Sequence, residues 1–348
     1  MLILEDISVA YQDKVVVDRV SFNLETGQIG CLLGPSGCGK TSILRAIAGF
    51  QTISSGSLIL RDKVVNEQQI MVPPENRKVA IVFQDYALFP HLTVAQNIAF
   101  GLHQKSQLFK SERVLELLHL VNLSGYEKRY PHELSGGQQQ RIALARAMAP
   151  KPDLLLLDEP FSSLDAELRE GLAKDIRLIL KHENTTALLV THDQKEAFAM
   201  ADMIGVISDG HLKQWSNAYG LYHKPIDKFV ASFIGEGVFL PAKLGANNLL
   251  ESPLGTFELN SDDAFEKGKN LVFLVRPDDI VHDDSSKTVA RVVARTFQGS
   301  HILYELELLE PNYQKLLCLA LSHHDHGIGE KFGIRLDLEH LIVFSATD

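Results

Sequence analysis

The sequence predicts an α/β domain over residues 1–235, followed by a smaller all-β domain over residues 236–348. In the first part, short apolar runs alternate with helical patterns, as they do where helices cover a parallel sheet. After Gly235 the pattern changes to short alternating runs, which are typical of a small barrel or sandwich. Charge changes at the same boundary, because residues 236–348 carry 10 basic and 18 acidic residues while the first part is nearly balanced.

Near-continuous apolar runs predict parallel strands that are buried on both faces: Ile29–Leu33, Val79–Phe83, Leu154–Leu157, Ala187–Val190 and Met203–Ile207. Helical patterns cover Ser42–Ala48, Ser111–Leu120, Gly137–Ala149, Ala166–Lys181 and Lys195–Ala201. We expect a helical subdomain at about residues 90–150. The alternating runs Leu271–Val275, Val289–Val293 and Ile302–Leu306 predict strands of a β-barrel whose shape is like that of an oligonucleotide-binding (OB) fold.

Composition excludes several classes of protein. The formal net charge of −10 gives no support to a nucleic-acid partner. No apolar run approaches the length of about 18 residues that predicts a membrane-spanning helix. The first residues include Glu5 and lack a basic segment, so we expect no secretory signal. Three cysteines without framework spacing fit a reducing compartment such as the cytosol.

A phosphate-binding loop follows the first predicted strand. Its G-x-x-x-x-G-K-[ST] pattern consists of Gly34, Pro35, Ser36, Gly37, Cys38, Gly39, Lys40 and Thr41, and Ser42 follows. The glycines allow backbone N–H groups to face a polyphosphate, and the next helix presents its positive end. We expect Lys40 to contact the β- and γ-phosphates, and Thr41 or Ser42 to reach Mg²⁺. The alternative is a chance glycine-rich turn.

Two adjacent carboxylates end the run LLLLDE. The strand would carry Asp158 to the phosphate site, where it can hold Mg²⁺ through water. Glu159 is one residue further, so it is free to orient or deprotonate an attacking water. By itself, such a strand could equally end in a helix cap before Pro160.

A second anion-binding helix start is predicted at residues 135–138. Ser135 would cap the helix, while Gly136 and Gly137 leave its amides open before Gln138. One nucleotide does not need two such sites. The sequence therefore predicts that a nucleotide is shared with a second copy of the chain.

These motifs resemble the nucleotide-binding subunits of ATP-binding-cassette (ABC) transporters, in which LSGGQ precedes a Walker B aspartate. The resemblance covers essentially the whole chain. It implies an ATPase that works with Mg²⁺ as a head-to-tail homodimer, with ATP between Gly34–Thr41 of one copy and Ser135–Gln138 of the other. It also implies integral-membrane permease subunits, a location on the cytoplasmic face of the inner membrane, and an indirect partnership with a periplasmic substrate-binding protein.

The same resemblance assigns further site residues. Tyr11 is similar to the aromatic residue that stacks on adenine, although it could be an ordinary strand residue. Gln84 is similar to the glutamine that touches Mg²⁺ and the attacking water. Asp165 ends the segment Ser162–Asp165, which matches the loop exchanged across the dimer. His192 matches the histidine that contacts the γ-phosphate. Residues 86–102 resemble the segment that receives the coupling helix of the permease.

The C-terminal part resembles the regulatory domain of importer ATPases for sugars, polyamines, sulfate, molybdate and ferric ion, notably in the segment Arg276–Ile280. Over its full length the sequence is most similar to the ferric-ion importers. The other cargoes remain alternatives, because the ATPase never touches the cargo.

Other ABC classes fit less well. The short interval between Thr41 and Ser135 leaves no room for the coiled coil of a DNA-repair ATPase, and one set of motifs excludes a two-cassette translation factor. A non-hydrolysing regulator is disfavoured by the presence of Glu159 and His192.

Outside the family pattern, a short run of imidazoles and a carboxylate could bind a metal ion: His323, His324, Asp325 and His326. We expect them to form an exposed loop, because adjacent residues rarely point at one ion.

Overall fold

The computed structural model describes residues 1–67, 69–102, 105–162, 164–245, 248–259, 270–309, 314–338 and 340–346. The chain forms two compact units, Met1–Ala218 and Tyr219–Asp348. Two short helices after residue 218 therefore group with the second unit, although the sequence analysis assigns them to the first domain. The functional boundary at residue 235 stays a prediction.

The six-stranded sheet of the first unit carries the predicted motifs. Its strands are β3 (Ile29–Leu33), β7 (Val79–Val82), β8 (Leu154–Asp158), β9 (Ala187–Thr191), β10 (Met203–Ser208) and β11 (His211–Ser216). Their order is β11-β10-β3-β9-β8-β7, and only the edge strand β11 is antiparallel to its neighbour. Every residue of β3 and β9 is buried. The five strands predicted from apolar runs are confirmed, each ending within one residue of its predicted end.

A second, antiparallel sheet in this unit was not identified from the sequence. It consists of β1 (Leu2–Tyr11), β2 (Lys14–Leu24), β4 (Ser55–Leu60), β5 (Lys63–Glu67) and β6 (Ile70–Met71), in the order β2-β1-β4-β5-β6. The β1–β2 pair shifts register repeatedly. Each shift breaks the strict alternation by which a strand is recognised in a sequence.

The six described α-helices of the first unit are α1 (Lys40–Ala48), α2 (Val94–Ala99), α3 (Gln107–Leu120), α4 (Gly136–Met148), α5 (Ala166–His182) and α6 (Gln194–Met200). Four of them, α2, α3, α4 and α6, begin at a side chain that caps them. Helices α2, α3 and α4 make up the predicted helical subdomain. Helix α3 starts four residues earlier than predicted, because the Ser106 hydroxyl accepts a hydrogen bond from the Phe109 amide.

The second unit begins with α7 (Ala218–His223) and α8 (Lys228–Ile234) and continues as an all-β structure. One sheet, in the order β14-β13-β12-β15-β21, contains β12 (Val238–Leu244), β13 (Leu249–Ser252), β14 (Gly255–Glu258), β15 (Asn270–Val275) and β21 (Ile342–Ser345). The other, in the order β16-β20-β17-β18-β19, contains β16 (Ile280–His282), β17 (Val289–Phe297), β18 (His301–Leu308), β19 (Lys315–Leu321) and β20 (Lys331–Leu336).

This second sheet is a nearly closed barrel. Its two outer strands, β16 and β19, pack against each other, and the Cys318 thiol of β19 donates to the Ile280 carbonyl of β16 at 3.2 Å. Phe273, Tyr304 and Phe332 fill the core of the unit. The predicted C-terminal β-barrel is confirmed.

In the described part of the chain, no helix combines the length and the apolar character that a membrane crossing requires.

Candidate functional site

The predicted site residues lie at one edge of the six-stranded sheet. Strand β3 leads into the loop Gly34–Thr41, β8 ends at Asp158, β9 leads to His192, and β7 leads to the exposed turn at Gln84. The four strands are neighbours and run parallel, so their carboxyl ends share this edge. Ligands of open α/β sheets bind at such edges.

The phosphate loop has the backbone that its glycines were expected to provide. Gly39 caps α1 with φ of +106° and without a side-chain cap, so the first amides of the helix remain available. At Gly34 a Cβ atom would lie 2.1 Å from the Ile207 carbonyl oxygen, which leaves no space for a side chain. The buried Lys40 ammonium donates to the carbonyls of Gly34 at 2.8 Å and Pro35 at 2.9 Å, so it is held inside the loop.

A hydroxyl and a carboxylate meet beside this loop. The Thr41 hydroxyl donates to Asp158 Oδ1 across 3.4 Å. Burial raises the pKa of Asp158, and the neighbouring Glu159 raises it further. A bound cation would oppose both effects. Oxygen donors of this kind are the ligands that Mg²⁺ prefers, so the residues present fit that ion.

Glu159 is held by contacts from two directions. Its backbone adopts φ of +44°, and its amide donates to the Val190 carbonyl at 3.0 Å. Ser162 donates to the Glu159 carbonyl from its hydroxyl at 2.9 Å and from its amide at 3.2 Å. The Glu159 carboxylate lies 3.4 Å from His192 Nδ1, so the two predicted catalytic side chains are neighbours.

Tyr11 lies at the end of β1, next to the phosphate loop. Its hydroxyl is 3.3 Å from the Ser42 hydroxyl, and the residue is 40% exposed. An exposed ring beside the first turn of α1 provides a flat apolar surface close to where phosphates would be held. This position is compatible with the predicted stacking on adenine.

The helix start at residues 135–138 forms a capping box. The Ser135 hydroxyl accepts from the Gln138 amide at 3.4 Å, and the Gln138 side chain accepts from the Ser135 amide at 3.0 Å. The predicted cap is therefore present, and Gly136 begins the helix. Asp165 is the N-cap residue of α5 and is exposed, while Ser163 of the same predicted loop lies outside the described residues.

Sequence reasoning missed the residues that shape the segment after Gln84. The Arg146 guanidinium donates to the carbonyls of Tyr86 at 2.9 Å and Ala87 at 2.7 Å. The buried Asn97 amide exchanges hydrogen bonds with both backbone groups of Phe89. The partners of Arg146 lie 59 and 60 residues away in sequence, and Asn97 binds an irregular segment eight residues before it, so no recognised motif marks either residue.

The histidine loop after β19 is only partly exposed. His324 and His326 each lie with ring centroids 4.7 Å from the buried His282. Tyr304 donates to the His324 carbonyl at 2.6 Å and accepts from the His326 amide at 3.0 Å. Within the described residues, no three His, Cys, Asp or Glu side chains are arranged to hold a metal ion.

Comparison with known families agrees with this geometry. Residues 17–162 match the family described as ABC transporter, and residues 273–344 match the TOBE domain. The chain thus carries an ABC transporter ATPase domain and a TOBE domain. The first match contains the phosphate loop, Ser135–Gln138, Asp158 and Glu159, and the second contains most of the β-barrel.

Solved structures give the same result for the ATPase domain. One is the dimeric structure of a post-hydrolysis state of the ATP-binding cassette MJ0796 bound to ADP and Pi, at 27% identity and a TM-score of 0.54, over 62% of this chain and 98% of that chain. Another is cbiO1 from Clostridium perfringens, part of the ABC transporter complex cbiONQ, at 26% identity and a TM-score of 0.58, over 62% and 88% respectively. The chain is an ABC-type ATPase.

Proposed function

We propose that this ATPase powers a ferric-ion importer through ATP-driven closure of a head-to-tail homodimer that is coupled to a membrane permease. One observation carries the ATPase part of the proposal. The phosphate loop, the Thr41–Asp158 pair and the Glu159–His192 pair lie at the carboxyl ends of adjacent parallel strands. A nucleotide at this edge would meet phosphate ligands, metal ligands and a candidate base together.

Each residue then has a defined task. Tyr11 stacks on adenine, while the amides of residues 34–42 and the Lys40 ammonium hold the phosphates. Thr41, Gln84 and Asp158 hold Mg²⁺, which neutralises phosphate charge when bound. Glu159 orients or deprotonates the attacking water, and His192 contacts the γ-phosphate from beside it.

Dimerisation follows from the second helix start. The amides at the start of α4, with Ser135, Gly136, Gly137 and Gln138, would hold the γ-phosphate bound by the other copy, and Asp165 would lie in the exchanged loop. ATP then bridges the two copies, and hydrolysis removes the bridge so that the dimer reopens. The dimeric state of the MJ0796 relative supports this arrangement.

The import role rests on the TOBE domain and on the resemblance to ferric-ion importers. Permease subunits would receive the segment after Gln84 at the cytoplasmic face of the inner membrane, and a periplasmic binding protein would deliver the cargo outside. The membership of cbiO1 in a transporter complex supports a permease partner. The same ATPase role with polyamine, sulfate, molybdate or sugar cargo is the alternative.

The test is uptake in cells that express the chain with the permease genes encoded beside it. We expect ATP-dependent accumulation of labelled ferric ion, which is lost when Glu159→Gln replaces the wild type. Uptake of labelled sulfate, molybdate, spermidine or maltose with no iron uptake would overturn the cargo assignment and leave the ATPase role intact.

A further inference from the structure

Two loops hold the residues that the proposed function places around the attacking water. The loop after β8 runs to Leu164 and Asp165, and the loop after β9 contains His192. Hydrolysis requires both loops to keep their positions relative to Glu159. Their separation in the sequence means that a tertiary contact has to join them.

Arg169, on α5, makes that contact. Its Nη2 donates to the Leu164 carbonyl at 2.9 Å, and its Nη1 donates to Asp193 Oδ2 at 3.2 Å. Its Nε lies 3.5 Å from Glu196 Oε1. One guanidinium thus joins Leu164, near the end of the first loop, to Asp193, which follows His192, and to Glu196 in the first turn of α6.

The acceptors of Arg169 are themselves fixed. Glu196 is only 4% exposed and accepts a hydrogen bond from the Thr191 hydroxyl. That hydroxyl accepts from the Asp193 amide at 3.0 Å, and the Asp193 carboxylate caps α6 by accepting from two amides. His192 therefore lies between Thr191, whose hydroxyl donates to the buried Glu196 carboxylate, and Asp193, whose amide donates to that hydroxyl.

The positive charge of Arg169 stabilises the buried carboxylate of Glu196. Burial raises the pKa of Glu196, and the adjacent Asp193 raises it as well, whereas the Thr191 hydroxyl and Arg169 lower it. Without the guanidinium, two neighbouring carboxylates would face each other at the base of the loop. The positive charge of Arg169 offsets this repulsion beside His192.

We propose that Arg169 is a positioning residue for ATP hydrolysis, which holds Leu164–Asp165 and His192 in register with Glu159. The inference rests on the proposed function of Glu159 and His192. A planar guanidinium can donate to the Leu164 carbonyl and to Asp193 at fixed angles while its charge faces Glu196, whereas a lysine ammonium acts as a point charge. The arrangement therefore requires arginine and not merely a cation.

The test compares Arg169→Gln and Arg169→Lys with Arg177→Gln in the full-length protein. Arg177 lies on the same helix and has a matched type of contact, an ion pair with Asp202 at 2.8 Å and a hydrogen bond to the Met200 carbonyl. Both partners lie outside the two loops. We expect Arg169→Gln to lower kcat about 10- to 100-fold while the ATP Kd and KM stay within threefold. Arg169→Lys should recover only part of kcat, and Arg177→Gln should keep kcat within threefold.

Thermal unfolding separates positioning from simple stability. If Arg177→Gln lowers Tm as much as Arg169→Gln but only the latter loses kcat, the positioning role is supported. If Arg169→Gln does not fold, kcat and Tm of two other variants are compared with those of Arg177→Gln. These are Arg169→Lys and the isosteric Glu196→Gln, which removes the buried charge. Equal kcat in the Arg169 variants and in Arg177→Gln would overturn the inference.

Glu159→Gln is measured in parallel to separate this inference from the proposed function. If Glu159→Gln abolishes hydrolysis while the Arg169 variants behave as wild type, only the positioning role fails. If Glu159→Gln hydrolyses ATP normally, the assignment of the base fails first.

Discussion

Glu159 combines an uncommon backbone conformation with the position predicted for the catalytic base. A φ of +44° is rare for a residue with a side chain, and such strain persists only where surrounding contacts enforce it. Here the Val190 carbonyl and Ser162 supply those contacts. Two carboxylates thus follow each other in the chain with different partners. Asp158 contacts Thr41, whereas Glu159 contacts His192.

We predict that Glu159→Gln keeps ATP binding but loses hydrolysis by a factor of about 10²–10⁴, because a glutamine cannot accept the proton of an attacking water. Steady-state phosphate release and nucleotide affinity measure the two properties separately. Glu170→Gln, an exposed change on α5 that removes the ion pair with Lys174, is the matched control. Hydrolysis within threefold of wild type would contradict the role.

A second residue-scale prediction concerns Asp279 in the second unit. Burial raises its pKa to about 6, and the neighbouring Asp278 adds to this, although the Arg276 amide donates to it at 2.7 Å. Because the unfolded value is about 3.9, the folded state binds a proton more tightly between pH 4 and 6. The stability of the unit therefore falls as pH rises through that range and stays lower above it.

Asp279→Asn should remove this penalty. We expect the variant to be more stable than wild type at pH 8 and equal to it at pH 4, as measured by urea denaturation at both pH values. Asp283→Asn is the control of opposite sign, because the Ser285 hydroxyl lowers the pKa of Asp283, so this variant should not gain stability at pH 8. A pH-independent effect of Asp279→Asn would contradict the assignment.

At the scale of elements, α1 and α4 both start with glycine-rich segments, but they are capped differently. Helix α1 has no side-chain cap, whereas α4 has the Ser135–Gln138 capping box. The open amides of α1 suit phosphate held within the same chain. The capped start of α4 suits a shared site, since the box keeps the helix formed while the partner is away.

We predict that Ser135→Arg binds ATP as a monomer but neither closes nor hydrolyses, whereas Lys40→Ala loses nucleotide binding. Mixed together, the two variants should restore at most one active site per heterodimer, which a phosphate-release assay at varied mixing ratio would show. Loss of the cap alone costs about 1 kcal/mol, so a control must remove a cap elsewhere. Ser106→Arg removes the cap of α3 and should leave hydrolysis unchanged. Normal hydrolysis by Ser135→Arg would refute the shared site.

At the scale of the whole molecule, the structure refines the design of a truncation experiment. A fragment of residues 1–235 retains α8, whose buried Val230, Ala231 and Ile234 group with the second unit. A fragment of residues 1–218 ends with the first unit. Without the second unit, the longer fragment would expose these apolar side chains, and exposed apolar surface promotes aggregation.

We predict that residues 1–218 bind ATP with near full-length affinity and hydrolyse it measurably, because every predicted catalytic residue lies within them. Residues 1–235 should also bind ATP but should aggregate more at equal concentration, as measured by light scattering. If neither fragment is soluble or binds ATP, the second unit is part of the ATPase fold and the proposed division of function is wrong.

Prediction from sequence succeeded where a signal is local. The buried parallel strands, the phosphate loop and the cap at Ser135 each depend on a few consecutive residues, so periodicity and motif identify them. It failed for the β1–β2–β4–β5–β6 sheet, because bulges interrupt its alternation. It also failed for Arg146, whose partners lie 59 and 60 residues away, and for Asn97, which binds the irregular loop before its own helix.

The sequence by itself determined the ATPase class of this chain, since each predicted phosphate-binding element is continuous and its chemistry follows from residue type and spacing. The tertiary structure alone decided how those elements meet. The order of the strands brings Glu159 within 3.4 Å of His192, and the packing of α5 brings Arg169 to both loops. Such contacts join residues far apart in the chain, and their distances follow from strand order and packing, which no local pattern encodes.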